Sequence, residues 1–245
     1  MIAWCAREAG GAILRTAVCA DRLFVNPVLA ISPHLDDAVF GCGAALAGLA
    51  HPTVVTVFAG VPDDGRLVTD WDRASGFDTS RECVQARRRE DEGALGELGA
   101  EPRWLDFLDD QYRTPPPSDE IARSLEAEIS RTRPRTVLMP IGLFHRDHVS
   151  ASNAMLEILR SRPGQRVWVA YAEVPYSTIP GIAARRISEV CAVLGVHDPV
   201  AFERPPNADK ARAMSHYRSQ LRALDRPGKP GSAALGVPER YWVLR

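Results

Sequence analysis

Two short clusters of side chains carry most of the chemistry this chain can do. Pro33-His34-Leu35-Asp36-Asp37 lies near the start and His145-Arg146-Asp147-His148 more than a hundred residues later. Imidazoles and carboxylates are the ligands of a catalytic zinc, which takes three from the protein and leaves one position for a water whose pKa falls to about 7. His34 and Asp37, in a tight turn, can bind one ion, with His148 as the third ligand. Asp36 is then left beside the water, as a base that takes its proton during attack on a carbonyl carbon and returns it to the departing amine. His145 is suited to stabilising the tetrahedral oxyanion or assisting amine departure. Asp147 can fix the His145 tautomer or support the metal shell. One zinc per chain is expected, though another divalent metal fits the same donors.

Either cluster alone has an ordinary explanation, because carboxylates cap helices and a lone histidine is commonly structural. Their positions give the pair its weight. Val28 to Ser32 is an apolar run halted by Pro33, and small and apolar residues continue at helical spacing from Ala38 to Leu49, so the first cluster occupies a strand-to-helix turn. Thr136 to Pro140 reads as another strand, with the second cluster just beyond it and a helix from Val149 to Arg160. Thr53 to Ala59, Trp104 to Phe107 and Val167 to Ala172 complete five expected strands. Between them lie helices over Arg81 to Leu98 and from Ser118 to about Arg131, with a late helix over Ala208 to Leu224. Val61 to Ser80, with Asp63-Asp64-Gly65 and Gly76, reads as a long loop. This alternation predicts an α/β, Rossmann-like three-layer fold: a mostly parallel sheet with helices on both faces. Both clusters then fall on the rim at the strand C-termini, where open α/β sheets collect ligand-binding groups.

The 245 residues, 45% of them hydrophobic, fit one domain over 1–245, able to bury its core without a partner. Residues 1–25 read as an extension, a surface helix packing on that domain. A net charge of -1 argues against a polyanionic partner, so no nucleic acid or membrane surface is expected. The five cysteines, Cys5, Cys19, Cys42, Cys83 and Cys191, are odd in number and contain no Cys-x-x-Cys pair, as in a reduced cytoplasmic protein. Arg15 interrupts the small apolar stretch from Gly10 to Ala20, which leaves no clean signal peptide. Nothing in the sequence specifies an oligomeric partner.

Four pieces from about Val28 to Leu221 resemble the PIG-L, or LmbE-like, family of zinc-dependent N-deacetylases acting on N-acetylglucosamine-containing substrates. They are the two His/Asp clusters, Arg87-x-x-Glu90 followed by Leu98-Gly99, and Lys210 with His216 to Gln220. The resemblance implies that His34, Asp37 and His148 bind zinc, that Asp36 is the general base, that His145 serves the oxyanion and that Arg87 faces the substrate. Many members have Pro-His-Pro-Asp-Asp-Glu, whereas this chain has Leu35 and Ala38 in place of the second proline and the glutamate. Neither change removes a ligand or a base. The Pro-His-Leu-Asp-Asp-Ala form resembles the branch containing the sugar deacetylases of glycopeptide-antibiotic biosynthesis.

Other residues have competing explanations. Arg87 stands in a helix dense in both charges, whose ordinary reading is a solvated face. Asp109, with Asp110, can bind a sugar hydroxyl or simply form a turn. Trp71, Tyr112 and Tyr176 fall in expected loops, where they can stack on a sugar or cover the core edge. Gly41-Cys42-Gly43 lacks the third glycine of a dinucleotide fingerprint and sits inside a helix, so close helix-sheet packing explains it better.

The expected function is zinc-dependent removal of an N-acetyl or short N-acyl group from an amino sugar on a larger conjugate. An amidase acting on a thiol conjugate or other natural product is the alternative hydrolase. A catalytically silent sugar-binding module is the alternative of another class.

Overall fold

The computed structural model describes residues 23–244 apart from 163 and 165. Most of the N-terminal extension, with Cys5 and Cys19, lies outside the described residues. Among the described residues seven strands form one sheet: β1 (Val28–Ser32), β2 (Thr53–Thr56), β3 (Glu101–Trp104), β4 (Thr136–Pro140), β5 (Val167–Tyr171), β6 (Val200–Arg204) and β7 (Glu239–Val243). Their order is β3-β2-β1-β4-β5-β7-β6, parallel from β3 to β5, with β7 antiparallel to both β5 and β6. The mostly parallel α/β sheet expected from the alternation is present, and its antiparallel margin is an addition.

Alternate strand residues feed two cores. Leu29 and Ile31, Val137 and Met139, and Trp168 and Ala170 point to one face. Covering that face are α4 (Ser118–Thr132), α5 (Arg146–Ser161) and α6 (Ile182–Leu194). Val28 and Ala30, Leu138, and Val169 and Tyr171 point to the other. That face is covered by α1 (Asp37–Leu46), α3 (Ser80–Glu97), α7 (Ala208–Met214) and α8 (Arg218–Leu224). Strands buried on both sides read as continuous apolar runs, as expected of a parallel sheet.

Several element boundaries differ from the sequence reading. The third strand is Glu101–Trp104, earlier than expected, and it tolerates Pro102 because it is the sheet edge. The expected loop over 61–80 contains α2 (Asp70–Ser75), whose start is fixed by a capping box between Thr69 and Asp72. The late helix is two, α7 and α8, interrupted around Ser215 to Tyr217.

Helix α1 is broken at Cys42, whose φ of -144° leaves the helical range. The break is spliced by buried charges. Glu239 accepts from the amides of Ala44 and Ala45, and Lys210 Nζ donates to the Phe40 carbonyl while lying 2.9 Å from Glu239 Oε1. A side chain on Gly41 would meet Tyr171 at 2.6 Å, so the small residues here do serve close packing.

The chain order places the site. From β1 the chain winds outward through β2 to β3, then returns to lay β4 against the other side of β1. The C-terminal ends of β1 and β4 are therefore neighbours at the topological switch point, the usual crevice of such sheets.

Candidate metal and active site

The turn after β1 is locked by Ser32, whose hydroxyl donates to the His34 carbonyl and accepts from the Ala38 amide. Asp36 occupies the N-cap position of α1, but its carboxylate makes no capping hydrogen bond. The ordinary explanation for an aspartate at a helix start therefore does not account for it. Asp37 turns inward, and its Oδ2 accepts from the His34 amide at 2.8 Å.

Beyond β4, His145 is the N-cap of α5, and its Nδ1 accepts from the Asp147 amide. That bond leaves the ring proton on Nε2, as a neutral donor. Asp147 and His148 follow in the first turn, fully buried.

Three atoms from the two turns converge. His34 Nδ1 and His148 Nε2 are each 3.1 Å from Asp37 Oδ2 and 3.2 Å from each other. Ligands 2.0 to 2.1 Å from a tetrahedral zinc lie about 3.3 Å apart, so the spacing matches one ion's coordination sphere. The outer nitrogens agree. His34 Nε2 is 2.7 Å from Asp147 Oδ2, and His148 Nδ1 is 3.3 Å from Glu173 Oε1. With a hydrogen bond at His34 Nε2 and a carboxylate facing His148 Nδ1, protons on the outer nitrogens leave both inner nitrogens to present lone pairs to the same point, the carboxylate-histidine pattern of metal sites. The donor set fits a divalent metal.

The electrostatics of the cluster are those of a place built for positive charge. Burial works against the charged forms of His34 and His148, yet the surrounding carboxylates outweigh it. His34 is raised well above 6.5, chiefly by Asp109, Asp147 and Asp37, and His148 is raised to about 9 by Asp37 and Glu173. Burial likewise opposes ionisation of Asp37, but His148 and His34 hold it well below the usual carboxylate range. A metal and these protons compete for the same lone pairs. Asp36 goes the other way: burial, then the adjacent Asp37 charge, lift it to about 7. Burial, with His34 and His148 nearby, lowers His145 and favours its neutral form.

A cavity of about 490 Å³ opens over the cluster, lined by His34, Asp36, Asp37, Arg87, Asp109 and His145 among others. Arg87 is buried rather than on a solvated face, 3.4 Å from Asp109. Asp109 also accepts from Gln111, while the Asp110 amide donates to Asp147. Trp71 and Tyr176 line the cavity, and Trp71 Nε1 donates to Gln220. Tyr112 instead donates to Asp72 and is not among the lining residues.

Glu173 is the residue sequence reasoning missed. It follows β5, the strand beside β4, and its Oε1 also accepts from the Gly142 and Leu143 amides. An acidic residue closing a buried strand was the available signal. Lys229, 5.3 Å above the Trp71 ring, lines the cavity and also went unread in the sequence.

The sequence profile of the PIG-L family, the GlcNAc-PI de-N-acetylases, matches residues 29–159, more than half of the chain and both His/Asp clusters. The chain belongs to the PIG-L family. Among solved structures, this PIG-L chain is similar to the A40926 pseudoaglycone deacetylase, at 28% identity and a TM-score of 0.65, over 88% of this chain and 96% of that one. It is also similar to a deacetylase of teicoplanin biosynthesis in complex with teicoplanin, at 25% identity and a TM-score of 0.67, over 88% and 96%. A 4-carboxy-2-hydroxymuconate hydratase from Pseudomonas putida, at 18% identity and a TM-score of 0.52 over 89% and 95%, shares the fold alone. No curated protein sequence matches. Family and relatives make this chain a deacetylase. Among the described residues no helix is long and apolar enough to cross a membrane.

Proposed function

We propose that this chain removes an N-acetyl or short N-acyl group from an N-acetylglucosamine-type sugar carried on a larger conjugate, using one zinc ion. The observation that carries the reading is the convergence of His34 Nδ1, Asp37 Oδ2 and His148 Nε2 beside the uncapped carboxylate of Asp36. His34, Asp37 and His148 would hold the ion, which when bound supplies Lewis acidity toward a water and the amide carbonyl.

The remaining groups have separable tasks. Asp36, which faces the cavity with no capping bond of its own, is placed to take a proton from the attacking water and to return it to the leaving amine. His145, with Nδ1 engaged by the Asp147 amide, offers Nε2–H to the developing oxyanion. Asp147 serves both histidines: its carboxylate supports His34, with Oδ2 2.7 Å from His34 Nε2 and 3.7 Å from His145 Nδ1, while its amide fixes the His145 tautomer. Arg87 and Asp109, both buried in the cavity wall, are the groups for sugar hydroxyls.

The similarity to deacetylases of the A40926 pseudoaglycone and of teicoplanin biosynthesis supports a natural-product or glycoconjugate pathway. The buried free thiols Cys42, Cys83 and Cys191 favour action in the cytoplasm, and the one seven-stranded sheet with its two packed faces favours a single domain. Amine release across free and conjugated N-acylglucosamines tests the reading. Release from a conjugated N-acetylglucosamine is expected, and release only from acylated thiol conjugates would contradict it.

A further inference from the structure

Phe144 is placed at a double disadvantage. It is 71% exposed, and its φ of 60° is a left-handed conformation that a bulky side chain rarely adopts. Single exposed apolar residues are common, but one held in such a backbone conformation points to function. Its ring is stacked on Tyr176 at 5.2 Å and 17°, and Tyr176 meets the His148 ring edge-on at 5.2 Å. Ile179, 42% exposed, joins the same cavity wall. Behind this wall the His/Asp cluster is buried, so a substrate whose amide reaches the cluster leaves its remainder at the mouth, against Phe144.

We propose that Phe144, backed by Tyr176, is a specificity platform that stacks a flat aromatic group of the substrate conjugate. The inference rests on the amino-sugar reading above and adds the chemistry of the attached group. A flat aromatic group covers the exposed ring and adds offset stacking, a larger gain than an extended polar group makes on the same face.

The test compares phenyl and methyl glycosides of N-acetylglucosamine, measuring equilibrium binding by calorimetry on zinc-loaded protein carrying Asp36→Asn, so that the ligands are not consumed. That protein is expected to prefer the phenyl glycoside, and the preference to fall about fivefold when Phe144→Gly or Phe144→Leu is added while surviving in Phe144→Tyr. Because glycine relieves the backbone, Phe144→Gly should melt no lower than wild type, which a structural role for the ring would not allow. An unchanged phenyl-to-methyl ratio in Phe144→Gly and Phe144→Leu overturns the platform. Amine release by the wild type from the same glycosides is scored separately: its absence contradicts the proposed function, while the binding ratio still decides the platform.

Discussion

His34 Nε2 lies 2.7 Å from Asp147 Oδ2, a bond across 113 residues that joins the two clusters before any metal is considered. It assigns the His34 proton to the outer nitrogen and turns Nδ1 toward Asp37 and His148. Removing the carboxylate frees the ring to rotate and to change tautomer. Asp147→Ala is therefore expected to weaken zinc binding by about 10- to 100-fold, the usual effect of losing a carboxylate behind a ligating histidine. Competition against a chromogenic chelator measures it, and wild-type affinity in the variant would refute the assignment.

His148→Ala removes one of the three converging donors and opens a hole in a fully buried position. Stoichiometric zinc should be lost. Metal analysis after dialysis checks this, and a variant that keeps one tightly bound zinc would show that the ligand set lies elsewhere.

The Lys210 and Glu239 side chains are buried and 2.9 Å apart at the break in α1. Lys210→Met leaves the buried Glu239 charge with hydrogen-bond donors but no cation beside it, at a cost of about 3 kcal/mol. Denaturant unfolding of the variant should show this loss, and a change below about 1 kcal/mol would mean that the pair contributes little to holding the broken helix.

Asp91 supplies a pH dependence away from the proposed metal. Burial pushes its carboxyl up to about 6 from 3.8, against the hydrogen bonds from Trp104 and Tyr217 and the charge of Arg87. A folded pKa raised above the unfolded one means that ionisation costs stability as pH rises from about 4 to about 6. The shift of about two units corresponds to an order of 3 kcal/mol. Asparagine can accept from Trp104 and donate to Tyr217, so Asp91→Asn should gain on wild type across that window. Parallel unfolding curves from pH 4 to 7 measure the difference, and a constant difference would remove Asp91 as the cause.

The parts of this molecule that are local in sequence were legible in it. The apolar run before Pro33 and the strand before the second cluster follow from periodicity, and with the parallel alternation they put His34 and His148 on one rim. What escaped depends on partners far away in the chain. Arg87 looks like any arginine of a charged helix by local pattern, and only the family resemblance marked it; its burial beside Asp109 could not be read from the helix. Glu173 becomes meaningful only once β5 lies next to β4. The strands Val200–Arg204 and Glu239–Val243 went unread, and the helix Ile182–Leu194 with them, although buried Ala183, Ile187, Val190, Cys191 and Leu194 carry its helical spacing. Phe144 gave no sign at all, since an exposed ring and a left-handed backbone are properties of position rather than of sequence.

The central claim is that Asp36 moves the proton in a metal-dependent amide hydrolysis without holding the metal. Asp36→Asn keeps the shape and the three donors while removing the base. Zinc content and amine release from a conjugated N-acetylglucosamine, measured on the same preparation, test it most directly. The expected result is one zinc per chain with turnover reduced by about 10²- to 10⁴-fold, the range for a lost general acid-base group. Near-normal turnover in zinc-loaded Asp36→Asn would contradict the account.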